Sequence, residues 1–382
     1  MAEATQIIGI DFGTTTSFVA TPEAGIVPLG TRAYLPSIAG VLDQRLLVGE
    51  AAAVLPPDRL IRSAKRAISD DKAHVVVGRG YGIATYPRDQ VITAIFKEIA
   101  ARARQSGSSL RTARTLRFGC PAGWNQDQRR LLLDLAKAAG VPIEGAELVE
   151  EPVAAAMEWL ERQSGAGRRI NGRLLAFDMG GGTLDVAVMD VDSDDGTPRI
   201  KVLASADTTI AGDALDEAIY TDIVAHYQLD LTCMNEPMRA SQHILNLAIE
   251  TKTRLSTDES YDIFPNARIL GAEKLAPLRY ERERFNDVFD PMMDVAESTV
   301  ARALKPAGPA VGVDYVLLVG GMSRVPLVRQ RLQAIFRHAE FIADYGTADE
   351  AVVRGLVTTG AGRRRRVVSR PVPVLSGATS GR

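Results

Sequence analysis

Two short stretches of the chain place an aspartate beside a bend made of glycine and threonine. Ile7 to Ala20 runs through Asp11, Gly13, Thr14 and Thr15, and Leu174 to Val188 runs through Asp178, Gly180, Gly181, Gly182, Thr183 and Asp185. Apolar residues flank each bend on both sides, the pattern of a β-hairpin. Such a bend presents backbone N–H groups and hydroxyls at close range, which suits phosphate oxygens. Glycine lets the backbone approach without a Cβ. The aspartates would repel phosphate and suit instead a hydrated Mg2+, which keeps several waters and needs few carboxylates. One bend of this kind is often only a tight turn, but two matched bends can hold a polyphosphate from both sides. A further pair, Gly320-Gly321, lies between a strand pattern and a helix pattern. It reads either as a turn needing positive φ or as a surface for a flat base or ribose, with the Arg324 guanidinium able to stack on the base.

These residues need elements to hold them, and the chain supplies the elements twice in the same order. After the first hairpin comes the strand Leu116 to Cys120, then Pro-Ala-Gly-Trp, Asn125 as N-cap and a helix from Gln126 to Ala139. After the second come the strand Tyr315 to Val319, the turn Gly320 to Ser323 and a helix opening near Pro326, where proline suits the first turn. Each half then has a helix opened by acids, at Glu150-Glu151 and at Asp349-Glu350, as the helix dipole favours. Ala154 to Ala156 and Gly355 predict close approach between lobes. The long stretches from Ala20 to Leu116 and from Val188 to Tyr315 predict one inserted subdomain per half. The expected organisation is α/β. Lobe I spans 1–170, with an insertion near 36–111 and a returning helix over 346–362; lobe II spans 171–345, with an insertion near 212–280. A basic tail over 363–382 carries Arg363 to Arg366 and little to bury.

Composition narrows the class. The 382 residues are 46% hydrophobic and 24% charged, with a net charge of −2, so no global basic field invites nucleic acid or anionic lipid. Cys120 and Cys233 lie far apart, which excludes a disulfide framework and fits a reducing, cytoplasmic setting. The four histidines are scattered, so a Cys/His metal site is not expected. No stretch reads as a signal peptide or a membrane span.

The combination resembles the actin-like ATPase superfamily and, within it, the seventy-kilodalton heat-shock chaperones of DnaK type. The matching stretches are Gly9 to Thr15, Ala64-Lys65-Arg66, Glu151 to Ala156, Phe177 to Asp185, Leu318 to Pro326 and Asp349 to Val352, in the family's order. The resemblance implies a duplicated, ribonuclease H-like fold that binds ATP or ADP with Mg2+ and hydrolyses ATP. It implies that Thr14, Thr15, Gly181, Gly182 and Thr183 line the phosphates. Asp11, Asp178 and Asp185 would organise the metal, and Glu151 would sit near the attacking water. Lys65, otherwise a surface charge beside Arg62 and Arg66, would reach the terminal phosphate. Gly212, Lys252, Ser256, Gly320, Gly321, Ser323, Arg324 and Asp349 would form the adenosine side.

Some positions depart from the family pattern. Ala211-Gly212 stands for a glycine pair. On the helix that closes over adenosine, Ile249 replaces an acid and Thr253 an arginine, with Glu250 and Arg254 one residue away and able to substitute. The base clamp is therefore expected to be weaker. Pro121 and Arg129 match residues that relay nucleotide state in the family. No acidic-leucine linker, β-sandwich or helical lid follows Gly362 in this sequence, so client or effector is expected on a separate, unidentified protein. The alternative is a nucleotide-gated assembly or scaffold with little turnover. A sugar or acetate kinase is disfavoured by Glu151 to Ala156 and Gly320 to Pro326 and by the lack of an acceptor motif. A monomer or weak oligomer is expected, with the arginine-rich tail able to tether an acidic partner.

Overall fold

Each glycine bend closes an antiparallel hairpin. The computed structural model describes residues 7–78, 84–193, 197–307, 312–343 and 349–358. Strands β1 (Ile7–Phe12) and β2 (Thr16–Thr21) pair with Asp11 opposite Phe18, and β3 (Gly25–Val27) extends that edge. On the other side of β1, strands β4 (Thr115–Cys120) and β5 (Glu147–Glu150) add in parallel. The second hairpin, β6 (Asn171–Met179) and β7 (Leu184–Asp192), sets Asp178 directly opposite Asp185. Strand β8 (Arg199–Thr208) adds antiparallel to β7, while β9 (Tyr315–Val319) and β10 (Glu340–Ala343) add in parallel beyond β6. Both sheets thus follow one order, third-second-first-fourth-fifth strand. The α/β class and the internal duplication expected from the sequence are both present.

The principal helices are α1 (Arg88–Gln105), α2 (Gln126–Ala138), α3 (Glu151–Gly165), α4 (Gly212–His226), α5 (Pro237–Leu255), α6 (Arg282–Leu304), α7 (Pro326–Ile335) and α8 (Ala351–Leu356). They cover the sheets on both faces, which is why β1 and β6 are almost continuously apolar. On one face of the first sheet, Phe96 of α1 lies 5.1 Å from Phe12 and 6.2 Å from Phe118, ring centre to ring centre. Each such pair adds about 0.5–1.5 kcal/mol beyond the area it buries. On the other face α3 and α8 cross. A Cβ at Gly355 would stand 1.7 Å from the Ala154 carbonyl oxygen, so the crossing depends on glycine there. The small residues, expected to let the lobes approach, instead bring these two helices together, and α8 also packs beside β1, where a Cβ at Gly9 would come 2.8 Å from Leu356. Asn125 caps α2 reciprocally with Gln128, a capping box that fixes the chain as it leaves β4.

The second sheet packs against α4, α5 and α6 through Phe177, Leu215, Ile219, Ile244, Phe285 and Phe289. Helix α6 was not anticipated. Its buried Phe285, Phe289, Met293, Ala296, Val300 and Ala303 recur at helical spacing, a signal present in the sequence. Residues 363–382 lie outside the described residues. Among the described residues no helix is long and apolar enough to cross a membrane.

Candidate functional site

The two bends meet. A Cβ on Gly181 would fall 2.5 Å from Thr15 Oγ1, and one on Gly182 would fall 2.8 Å from Thr14 Oγ1. Glycine is therefore required on the β6–β7 side for the threonines of the β1–β2 side to approach. The bend at Gly180 is closed by its own N–H to the Thr183 carbonyl at 3.0 Å. It is also tied to the start of α4: Gly212 donates to the Gly180 carbonyl at 3.1 Å and Asp213 to the Gly181 carbonyl at 2.6 Å.

Beside the bends lies a buried charged cluster. Lys65 Nζ donates to Glu151 Oε1 at 2.6 Å, and the two side chains are only 6% and 10% exposed. The ammonium also lies 5.7 Å from the centre of the Trp124 ring. Lys65 sits at the head of the short helix Arg66–Ser69, and Glu151 opens α3. Asp11, Asp178 and Asp185 are buried around the pair. Burial, then repulsion from Glu151, lifts Asp11 from 3.8 to about 7. Burial and then Glu151 and Asp207 lift Asp185 to about 7, and burial with Glu151, Asp185 and Asp11 raises Asp178 as well. Burial alone would lower the Lys65 pKa, but Glu151, Asp11 and Asp185 outweigh it and hold the ammonium above its ordinary value.

This donor set fits a hydrated divalent cation. Like charges directly opposite on paired strands repel, and Asp178 and Asp185 are such a pair. One lysine leaves the four carboxylates under-neutralised. Among the described residues no group of three or more acids, histidines or cysteines is gathered closely enough to grip an ion directly. Asp185 is further fixed by the Ala122 N–H at 3.0 Å, from the loop after β4. In that loop Arg129 donates to the Trp124 and Ala122 carbonyls and pairs with Glu150 at 2.8 Å. Arg129 is thereby joined to the same loop as Pro121.

Next to Asp178, and leading from the cluster toward the open end of the cleft, Gly320 adopts φ 80, and a Cβ there would come 2.4 Å from the Met179 carbonyl oxygen and 2.8 Å from Asp178 Oδ1. The turn reading of Gly320 is therefore observed, its positive φ bringing it against Met179 and Asp178; Gly321 follows in a short 3-10 helix that includes Ser323 and Arg324. Ser323 is buried and bonds back to the Gly320 carbonyl at 2.7 Å. Arg324 pairs with Asp349 at 2.7 Å, while its Nε is buried without a partner. A cavity of about 510 Å³ opens here, lined by Arg324, by Glu250, Thr253 and Arg254 of α5 and by Thr257 just beyond it. Lys252 turns the other way, to the Gly212 carbonyl at 3.1 Å and Asp216 at 2.7 Å, and Ser256 bonds to its own helix backbone. Burial raises Asp216 to about 6 against the pull of Lys252. Ile249 lies on α5 but not on the cavity wall.

The structure thus gathers Lys65, Glu151, Asp11, Asp178 and Asp185 in one cluster, Thr14, Thr15 and Gly180 to Thr183 beside it, and Arg324, Asp349 and Gly320 to Ser323 at the open end. Glu250 and Arg254, singled out in the sequence as neighbours able to substitute for Ile249 and Thr253, do line this cavity, and Thr257 joins them without having been expected. Glu250, Thr253 and Arg254 share one face of α5 by their spacing. Ala122 and Asp213 carried no sequence signal, because their partners lie far along the chain.

A family model described as "Hsp70 protein" matches residues 7–363. The chain is 28% identical to the chaperone protein DnaK of Psychrobacter cryohalolentis, over 93% of this chain and 59% of that protein. It is 28% identical to the chaperone protein dnaK of Thalassiosira pseudonana, over 86% of this chain and 58% of that protein. It therefore spans a little under three-fifths of the length of these curated relatives.

Proposed function

The chain belongs to the Hsp70 family and has its actin-like ATPase fold, and from that premise we propose that it is a Mg2+-dependent ATP-binding and ATP-hydrolysing conformational switch that works on or through a separate protein. The observation that carries this reading is the buried Lys65–Glu151 pair at 2.6 Å, enclosed by three further carboxylates beside the two facing bends. A structural ion pair does not need surplus buried acid around it; a site for a cation and a polyphosphate does.

In this reading the backbone and hydroxyls of Gly13, Thr14, Thr15 and Gly180 to Thr183 bind phosphate oxygens. Asp11, Asp178 and Asp185 would hold Mg2+, which would supply positive charge beside the phosphates. Glu151 and Asp178 orient the attacking water. Lys65 offers a fixed ammonium to the charge that develops in phosphoryl transfer, a reaction governed by positioning and electrostatics. Gly212, Lys252 and Ser256 border the sugar side, with Gly320, Gly321, Ser323, Arg324 and Asp349. Glu250, Thr253 and Arg254 face the base across from Arg324. The two-lobe division, with insertions near 36–111 and 212–280, belongs to the same proposal, as does a cytoplasmic setting. Radiolabelled ATP hydrolysis by wild type and by Lys65→Ala tests it: wild-type turnover in the variant removes the assignment.

One observation favours the scaffold reading: the base cavity is open and carries Thr253 where the resembled family has an arginine. A nucleotide-gated assembly with little turnover would scatter more light on addition of ATP. A monomer under all nucleotides removes it. Deleting residues 363–382 tests the tail as a tether, and partner capture that survives the deletion retires that role.

A further inference from the structure

A second contact joins the two sides of the cleft, outside the residues assigned to chemistry above. Ser63 Oγ donates to Asp213 Oδ2 at 2.6 Å, across 150 positions of sequence. Ser63 stands two residues before Lys65, in the turn that opens the short helix Arg66–Ser69. Its φ is 53, in the left-handed region that non-glycine residues seldom occupy. A backbone held there persists when its surroundings over-determine it, and such positions gather at switch regions. The Ser63 carbonyl accepts from Arg66 N–H at 3.0 Å, so the strained residue sets the course of the turn that carries Lys65.

Asp213 is equally well placed on the other side. It lies in the first turn of α4, and its own N–H donates to the Gly181 carbonyl at 2.6 Å. One residue therefore touches the second phosphate bend through its backbone and the Lys65 turn through its side chain. Arg62, next to Ser63, is attracted electrostatically by both Asp216 and Asp213. Lys252 of α5 completes this group by pairing with Asp216 at 2.7 Å. At the open base end the link between the two sides is the Arg324–Asp349 pair at 2.7 Å, whose side chains are each about a third exposed.

We propose that Ser63 is a positioning residue: its hydrogen bond to Asp213 holds the left-handed turn that sets Lys65 against Glu151, so that closing the cleft and placing the lysine are one event. Opening the cleft breaks the Ser63–Asp213 bond, lets the turn relax and frees Lys65 from its station together with the nucleotide. The inference rests on the nucleotide reading above. It adds a link which that reading does not require.

A double-mutant cycle tests it, using the full chain with fluorescent N-methylanthraniloyl-ADP and Mg2+. Stopped-flow release of the ADP and single-turnover hydrolysis at saturating ATP are measured for wild type, Ser63→Ala, Asp213→Ala and the double variant. A hydrogen bond to a charged acceptor predicts release about tenfold faster, and hydrolysis about tenfold slower, in each single variant. The double variant should match the singles, because both remove the same bond. Ser63→Asn, which tolerates the left-handed region and offers an N–H donor, should restore most of both rates. A purely structural role would lower melting temperature in all variants without rescue of kcat by asparagine. If wild type captures the fluorescent ADP but Ser63→Ala releases and hydrolyses as wild type does, or if the two single effects multiply, the link is wrong. If wild type captures none, the nucleotide reading itself falls, and the link with it.

Discussion

The two ends of the cleft are built by different means. At the phosphate end, Asp11, Lys65, Glu151, Asp178 and Asp185 are all under 10% exposed, and backbone donors close the bends around them. At the base end, the Arg324 and Asp349 side chains are 34% and 39% exposed, and the facing wall is one side of α5. Burial magnifies every charge at the first end, so a change of residue there has few compensations. The second end is wet, and neighbouring positions on a helix face can take over from one another. Departures from the resembled family at Ile249 and Thr253 fall at this second end, where they cost least.

The largest effect should come from the phosphate end. Lys65→Ala removes a fixed charge from a water-poor site, and losses of about 10²–10³-fold in turnover are usual for such a donor. Nucleotide affinity should change only a few-fold. Quench-flow for hydrolysis and equilibrium titration for binding separate the two. Thr257→Ala, at the base end, should leave turnover within a factor of about two, as surface substitutions do. Equal losses in both variants would erase the contrast between the ends.

Protons should distinguish the ends next. Asp11 and Asp185 stand at about 7 in the folded chain against an ordinary 3.8, chiefly through burial and Glu151. A carboxyl whose folded pKa is raised binds extra protons in the folded state between about pH 4 and 7. Its contribution to stability therefore falls as pH rises through that window and stays low above it, by about 1.4 kcal/mol for each tenfold difference in proton affinity between the folded and unfolded chain. Nucleotide-free protein should melt higher at pH 6 than at pH 8, and ADP with Mg2+ should shrink that difference. Arg324→Ala should leave the slope unchanged. A flat melting profile in nucleotide-free protein would mean that the acids are not buried together.

The two ends also differ in how far they could be read from sequence. The bends were legible because a tight turn with close approach admits few residues: Gly13, Gly181 and Gly182 have no room for a Cβ. The strands around them were legible because β1 and β6 are buried on both faces and so nearly free of polar interruption. Lys65 was not legible by itself. Nothing local marks it, since its partner Glu151 is 86 positions away, and only the family resemblance singled it out. Contacts such as Ala122 with Asp185 join distant segments, and the sequence offers no period or spacing that reports them. On α5 the helix was evident but its facing was not, because polar residues surround the helix near its end and no apolar stripe fixes which of them look into the cleft. Helix α6 was overlooked although its apolar period was present.

At the base end, Arg324 is the residue with most to lose. Its guanidinium is held by Asp349 at 2.7 Å and borders the cavity, so it can stack on a base. A cation on an aromatic face gives about 0.5–2 kcal/mol, and Arg324→Ala should weaken ATP and ADP binding up to about tenfold with kcat nearly unchanged. Calorimetry and steady-state kinetics on one preparation test the split. A fall in kcat with affinity intact would place Arg324 at the phosphates instead.

The smallest effect should be a gain. Thr253 faces Arg324 across the cavity where the resembled family carries an arginine, and Arg254 stands one step around the helix. Because α5 turns about 100° per residue, Arg254 leaves the helix in a different direction from position 253, although both line the cavity. The wild-type clamp should therefore be loose, and nanomolar ATP affinity by calorimetry would contradict that. Thr253→Arg should tighten binding a few-fold, since one more stacked cation at a partly exposed site adds about 0.5–1 kcal/mol. The gain should disappear in an Arg324→Ala background, where the base has lost its second face. If Thr253→Arg tightens binding equally with and without Arg324, the new arginine is meeting phosphate charge from a distance. Measuring affinity for inorganic triphosphate alongside ATP decides this, because only a base clamp favours ATP over the bare phosphate chain.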